Sequence, residues 1–294
     1  MSSAASQPHA WTIEGVLRWA ADDFRARGIE TSRLDAELLL AHALSTTRIH
    51  LFVDAKRPLA ADELARFREL VKRRRLREPA AYILGVREFY GRAFRVDARV
   101  LVPRPDTEIL VEVALDRTRH VALAMRALDL CTGSGCVAIS LARERPTSQV
   151  VGVDISLDAL AVARENALRL GAYNVAFCGG DLFASIDPKD RFDLVTANPP
   201  YVVASEIDSL QPEISCHEPR VALDGGEDGM DIVRRIVAGA STHLNEQGVL
   251  AVEVGAGSAP AVAELFAQAG FLQISVVRDY ARIERVVSGM LQMG

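Results

Sequence analysis

The chain has 294 residues, 49% of them hydrophobic, with four cysteines, six histidines and a formal net charge of −5. This allows a large core and two domains, and the acidic balance argues against gripping long stretches of nucleic acid by charge alone. Cys131, Cys136, Cys178 and Cys216 form no C-x-x-C pair and the histidines show no ligand spacing, so no metal site or disulfide framework is expected and the chain reads as reduced and cytoplasmic.

No apolar run reaches membrane-spanning length, and Met1 to Pro8 lacks the regions of a signal peptide. These first residues are expected to fray. From about Trp11 to Leu84 the pattern is helical. A first helix runs from Trp11 to Arg27 and stops at Gly28. Thr31 and Ser32 cap a second, with Asp35 as the capping-box acid and Leu34, Leu38 and Ala41 on its apolar face, flanked by Leu39, Leu40 and Leu44. A third spans Asp62 to Arg77, with Leu64, Phe67, Leu70 and Val71 on one face. Its end carries Lys72, Arg73, Arg74, Arg75 and Arg77, which read either as solvated cations at a helix C-terminus or as a partner contact.

Between Val86 and Val102 the period shortens. Phe89-Tyr90, Gly91-Arg92 and Ala93 to Val96 read as a hairpin turning at Gly91. Pro103-Arg104-Pro105-Asp106 then opens a helix through Leu115. The predicted organisation is a helical bundle over 1–85, a hairpin linker over 86–105 and a second domain over 106–294.

From Ala127 onward strands and helices alternate. Strands are predicted at 127–131, 149–153, 174–177, 192–197 and 249–254, helices at 136–145, 157–170 and 228–243, and a closing hairpin at 272–277 and 283–288. The alternation implies an α/β domain with a mostly parallel sheet and a ligand at the strands' carboxyl ends. Strand, then Thr132-Gly133-Ser134-Gly135, then helix lets a ligand approach bare backbone at a helix N-terminus. Asp154, 19 residues after Gly135, ends the next strand where a carboxylate can accept from ribose hydroxyls. Gly133-x-Gly135-x-x-Ala138 equally satisfies a relaxed dinucleotide fingerprint, so a nicotinamide dehydrogenase competes. Gly180-Asp181-Leu182-Phe183 favours S-adenosylmethionine, with an acid and an apolar side chain placed to bond and pack an adenine.

Asn198-Pro199-Pro200-Tyr201 follows the fourth strand. The prolines lack N–H groups, so carbonyls there stay free to accept; the Asn198 side-chain oxygen is a second acceptor, and Tyr201 offers a flat face. Two acceptors and an aromatic face suit an –NH₂ on a planar π system, such as a glutamine amide or an adenine. The competing reading is a plain turn.

The segments Arg77 to Gly85, Arg87 to Gly91, Leu101 to Glu108, Asp129 to Gly135, Val153 to Ser156, Asn198 to Tyr201 and Glu218 to Gly229 together resemble the HemK/PrmC family of peptide chain release factor glutamine methyltransferases. The resemblance implies a small helical domain that receives class I release factors, a β-hairpin linker, and a seven-stranded, Rossmann-like class I S-adenosylmethionine-dependent methyltransferase domain. The substrate it implies is the glutamine of the Gly-Gly-Gln motif, methylated on its side-chain nitrogen, with S-adenosylhomocysteine as the other product. Carried across, Cys131 to Gly135 form the cofactor loop, Asp154 holds the ribose, Asp181 and Leu182 flank the adenine, Asn198 bridges cofactor and substrate, and Asn198 to Tyr201 hold the glutamine. No membrane and no direct nucleic-acid substrate are expected. One position departs: the family commonly has glycine at Cys131, and the ribosomal-protein glutamine methyltransferases resemble this chain there. A ribosomal protein is therefore the alternative substrate and a DNA adenine the next.

Overall fold

The structure is a computed structural model that describes residues 11–121 and 124–292; the expected frayed start, Met1 to Pro8, lies outside them. The chain divides into two compact units, the first ending at Gly85 and the second beginning at Val86.

The first unit is helical: α1 (Ile13–Ala26), α2 (Ser32–Ala43), α3 (Arg48–Val53), α4 (Ala61–Arg75) and α5 (Ala80–Leu84). The Thr12 hydroxyl caps α1 by accepting from the Gly15 N–H at 3.2 Å. The short α3 and α5 escape the sequence pattern because too few residues repeat to show a period. The expected face of α2 holds at Ala41 and the flanking Leu39 and Leu40, and fails at Leu34 and Leu38. Ala36, Leu39, Leu40 and Ala43 are buried, Leu34 is exposed and Leu38 is half-buried. The predicted capping box does not form either. Asp35 instead accepts from Arg74 Nε at 2.8 Å, with both side chains buried.

That pair also corrects the reading of the basic run. Lys72 pairs with Glu69, Arg73 with Glu78, Arg74 with Asp35 and Arg75 with Asp23, while Arg77 donates to the Arg27 carbonyl. Arg75 also lies 5.3 Å from the Trp19 ring centroid. Arg74 and Arg75 pin α4 to α2 and α1, while Lys72 and Arg73 remain largely exposed.

The second unit opens with the predicted hairpin, β1 (Val86–Phe89) and β2 (Arg92–Arg95), paired antiparallel. Tyr90 and Gly91, at φ 49° and 68°, make the two-residue turn that matches strand twist. Phe89 and Phe94 meet edge-on at 5.9 Å and are buried in the core under the sheet. A 3-10 turn at Pro105–Thr107 leads into α6 (Glu108–Arg117), and the Glu108 carboxylate reaches back to accept from the Tyr90 N–H at 2.8 Å.

The large sheet holds β3 (Arg126–Leu130), β4 (Gln149–Asp154), β5 (Val175–Gly179), β6 (Phe192–Ala197), β7 (Leu244–Glu253), β8 (Phe271–Arg278) and β9 (Glu284–Leu291). Their order is β5-β4-β3-β6-β7-β9-β8, parallel except for β9, which runs antiparallel to both neighbours. The chain leaves β3 toward β4 on one side and later returns to β6 on the other. A crevice therefore opens at the carboxyl ends of β3 and β6. The helices α7 (Cys136–Glu144), α8 (Leu157–Leu170), α10 (Asp231–Ala240) and α11 (Ala259–Gln268) accompany the sheet, and a short α9 (Pro212–Ser215) lies in the connection before α10. The central strands are apolar almost throughout, as burial on both faces requires. Two of the acids in them are buried, Asp129 in β3 and Glu253 at the end of β7.

Candidate active site

The loop after β3 is held from below and from the side. The Thr132 N–H donates to the Val153 carbonyl at 3.0 Å and the Gly135 N–H to the Thr132 carbonyl at 2.8 Å. Gly133 sits at φ 53° with open space where a Cβ would be, so backbone conformation rather than crowding requires glycine there. Its N–H donates to Asp154 Oδ2 at 2.8 Å, while Asp154 Oδ1 accepts from the Ser156 N–H at 2.9 Å. Burial raises the proton affinity of Asp154 and these backbone donors oppose it. Each carboxylate oxygen keeps a further lone pair for an incoming hydroxyl.

Asp129, missed as a site residue from sequence, anchors the same loop. It accepts from the Thr132 hydroxyl at 2.6 Å and from the Thr196 hydroxyl of β6 at 2.8 Å. Burial pushes its carboxyl up to about 6 against those two donors. A third tether comes from α8. Asn166 is fully buried; its Oδ1 accepts from the Arg95 N–H at 2.7 Å, and its Nδ2 donates to the Arg95 and Ser134 carbonyls, each at 3.0 Å. The hairpin and the glycine loop are thus fixed by one side chain.

Cys131 lies at φ 55°, a conformation that glycine adopts freely and a side chain does not. Burial raises its thiol, with the Asp154 and Asp129 charges adding to the effect. It is a filler of the strand end and not a nucleophile.

Across the cavity the Gly180 N–H donates to the Asp154 carbonyl at 3.0 Å, and Leu182, at φ 52°, is buried. The Asp181 carboxylate faces Arg235 of α10 at 2.7 Å. Sequence alone could not supply Arg235, which stands 54 residues away.

Asn198 follows Ala197, which pairs with Val252, so it leaves β6 beside Glu253. Its Nδ2 donates to the Thr107 hydroxyl at 3.1 Å. Pro199 is buried, Pro200 is half-buried, and the Tyr201 hydroxyl donates to Glu253 Oε1 at 3.3 Å. Tyr201 is backed by the 218–229 segment. A Cβ on Gly225 would come within 2.8 Å of Tyr201 Cα, and one on Gly229 within 2.5 Å of the Tyr201 carbonyl oxygen. Val202 and Asp224 form a parallel bridge beside them. Gly225 and Gly229 thus let two backbones touch. Glu218, at the start of that segment, is buried and joined to Arg104 at 2.6 Å. Arg104 thus reaches across to Glu218, while Glu108 accepts from the Tyr90 N–H.

A cavity of about 490 Å³ collects these groups, a size suited to a nucleoside joined to an amino acid. Cys131, Thr132, Gly133, Ser134, Asp154, Asp181, Leu182, Asn198 and Pro200 line it. Of the residues named from sequence, Gly135, Pro199 and Tyr201 are not part of the lining. Thr107 and Asp129, not named as site residues from sequence, join it, as does Arg104 of the linker. Among the described residues no cluster of acids, histidines and cysteines suits a metal ion, and no helix is long and apolar enough to cross a membrane.

Sheet order, glycine loop and acid-tipped second strand define a class I S-adenosylmethionine-dependent methyltransferase domain. Residues 15–85 match the PrmC N-terminal domain family and residues 123–265 a methyltransferase domain family. The release factor glutamine methyltransferase of Geobacter sulfurreducens is 45% identical over 97% of this chain and 99% of its own length. That of Rhodopirellula baltica is 40% identical over 95% and 96%. The chain belongs to the release factor glutamine methyltransferase family. A methyltransferase from Pyrococcus furiosus, 16% identical with a TM-score of 0.52 over 70% of this chain and 91% of that one, shares the fold.

Proposed function

We propose that this chain transfers the methyl group of S-adenosylmethionine to the side-chain nitrogen of the glutamine in the Gly-Gly-Gln motif of class I peptide chain release factors. In this reading residues 1–85 receive the release factor, 86–105 connect, and 106–294 carry the reaction. The observation that supports it most directly is the setting of Asn198. Its nitrogen is engaged by Thr107, and its Oδ1 has no protein donor among the described residues at the edge of a cavity floored by the glycine loop.

The cavity residues fit the cofactor. Asp154 has lone pairs for the ribose hydroxyls beyond those used by Gly133 and Ser156. Asp181 and Leu182 offer an acceptor and an apolar wall for the adenine, and Cys131 to Gly135 lie against the remainder. The cofactor supplies an electrophilic methyl on sulfur. The protein's task is to present the amide, a weak nucleophile because its lone pair is delocalised into the carbonyl. Asn198 Oδ1 and the Pro199 carbonyl each accept one N–H, which aims the π lone pair at the methyl carbon. Orientation of this kind is worth roughly 7–11 kcal/mol at best. The same acceptors strengthen as positive charge grows on nitrogen, which lowers the barrier itself. The N–C bond would form as the sulfur–methyl bond breaks to leave S-adenosylhomocysteine, and the methylated amide would then lose one N–H proton to water.

The test is transfer of labelled methyl from S-adenosylmethionine to purified release factor, ribosomal protein and DNA in parallel, with mass mapping of the product. Label on the release-factor glutamine supports the reading; label confined to ribosomal protein or DNA overturns it. Asn198→Ala should remove turnover while leaving cofactor affinity within about threefold.

A further inference from the structure

The acid at the end of β7 is not part of the cavity lining, yet three features tie it to the reacting end. It is 1% exposed. It follows Val252, the register partner of Ala197, which immediately precedes Asn198, and it accepts from Tyr201 at 3.3 Å. Its Oε2 is buried with no hydrogen-bond partner, and the Thr107 hydroxyl is among the groups that lower its proton affinity against the burial that raises it. A buried carboxylate with an unfilled acceptor is costly, and such a group usually has a task.

Resting on the methyl-transfer reading above, we propose that Glu253 is a positioning residue that sets which way the Asn198 carboxamide faces. An Asn side chain can present either its oxygen or its nitrogen, and only the oxygen can accept a substrate N–H. The choice is made by Thr107, whose hydroxyl can donate or accept. An ionised carboxylate is acceptor-only, so the Thr107 proton turns to Glu253 and its lone pair turns to Asn198 Nδ2. The carboxamide oxygen is left facing the substrate. Tyr201 donates to the same carboxylate, so the two ends of the Asn198 to Tyr201 segment share one buried anchor. Facing that anchor are Arg285 of β9, which favours its charge, and Asp106 of the 3-10 turn, which opposes it.

Glutamine at this position reverses the chain of donors. Its NH₂ donates to Thr107, whose proton then turns to the carboxamide, and the Asn198 nitrogen swings toward the substrate. Valine at 107 keeps the shape and removes the switch.

The experiment is steady-state kinetics on release factor for the wild type, Thr107→Val, Thr107→Ser, Glu253→Gln and the Thr107→Val/Glu253→Gln double variant. It is run at about pH 8.5, above the value of about 7 to which burial pushes the Glu253 carboxyl. S-adenosylhomocysteine affinity by calorimetry and melting temperature accompany it. Thr107→Val and Glu253→Gln should each lose about 10–100-fold in kcat, with KM and cofactor affinity within about twofold. Thr107→Ser should restore the rate, and the double variant should be no worse than either single one. Unchanged kcat in both variants would overturn the proposal. So would losses that track cofactor affinity or melting temperature, since those mark a merely structural acid. A wild-type protein inactive on release factor fails the parent reading instead, before any variant is compared.

Discussion

Arg104 and Glu218 are separated by 114 residues in sequence and joined at 2.6 Å. Their contact ties the segment before α6 to the 218–229 loop that backs Tyr201. Burial raises the Glu218 carboxyl and the Arg104 guanidinium draws it back. Arg104→Ala leaves a buried charge without its partner. Because Arg104 itself is partly exposed, the cost should fall between the surface and the buried cases, at about 2 kcal/mol. Hydrogen exchange should quicken from Glu218 to Gly229 first, and a uniform rise across the second unit would contradict that local role.

Asn166→Ala removes one acceptor and one shared donor from buried backbone groups of Arg95 and Ser134. The expected loss is about 2–3 kcal/mol in denaturant unfolding. Since Ser134 belongs to the glycine loop, S-adenosylhomocysteine should also bind about tenfold more weakly. A stability loss with unchanged affinity would show that the loop holds its shape without this side chain.

Stability should decline as pH rises from about 4.5 toward 7. Burial lifts the carboxyls of Asp129 to about 6 and Glu253 to about 7, above their ordinary values of 3.8 and 4.5. Between those limits the folded protein binds more protons than the unfolded chain, so deprotonation favours unfolding. For Glu253 alone the span corresponds to about 3 kcal/mol. Below the window the opposite sign takes over, because Asp23 and Glu37, paired with arginines, are held below the usual carboxylate range. Chemical denaturation across this range should show the slope, and Glu253→Gln should flatten it.

Thiol alkylation near neutral pH should label Cys216, the exposed cysteine, and spare Cys131 and Cys136, whose thiols burial raises, Cys136 to about 12. Peptide mapping reads this directly. Cys131→Gly should be tolerated with activity intact, because glycine suits φ 55°, whereas Cys131→Val should cost about 1–3 kcal/mol. Equal stability of the two would mean that the turn relaxes.

Much of the second unit was readable because its signals are local. A strand, Gly133 and Gly135, a helix, then Asp154 at the next strand end is a pattern contained in about 30 residues. What escaped depends on partners distant in sequence. Asp35 looks like a cap until Arg74, 39 residues on, takes it into a buried pair. Asp181 looks free until Arg235 arrives. Asp129 and Glu253 did leave a trace, each a lone acid in a run such as Val249-Leu250-Ala251-Val252-Glu253-Val254. A charge that a buried strand tolerates is expected to have a use or a partner.

Glu253 has a consequence for anyone improving this protein by heat selection. An acid kept dry at the end of a central strand is a standing load on the fold, and neutral replacements there should be recovered early in thermal screens. Such winners would survive the oven and fail at the bench, so libraries built on this scaffold need an activity filter at that codon from the first round.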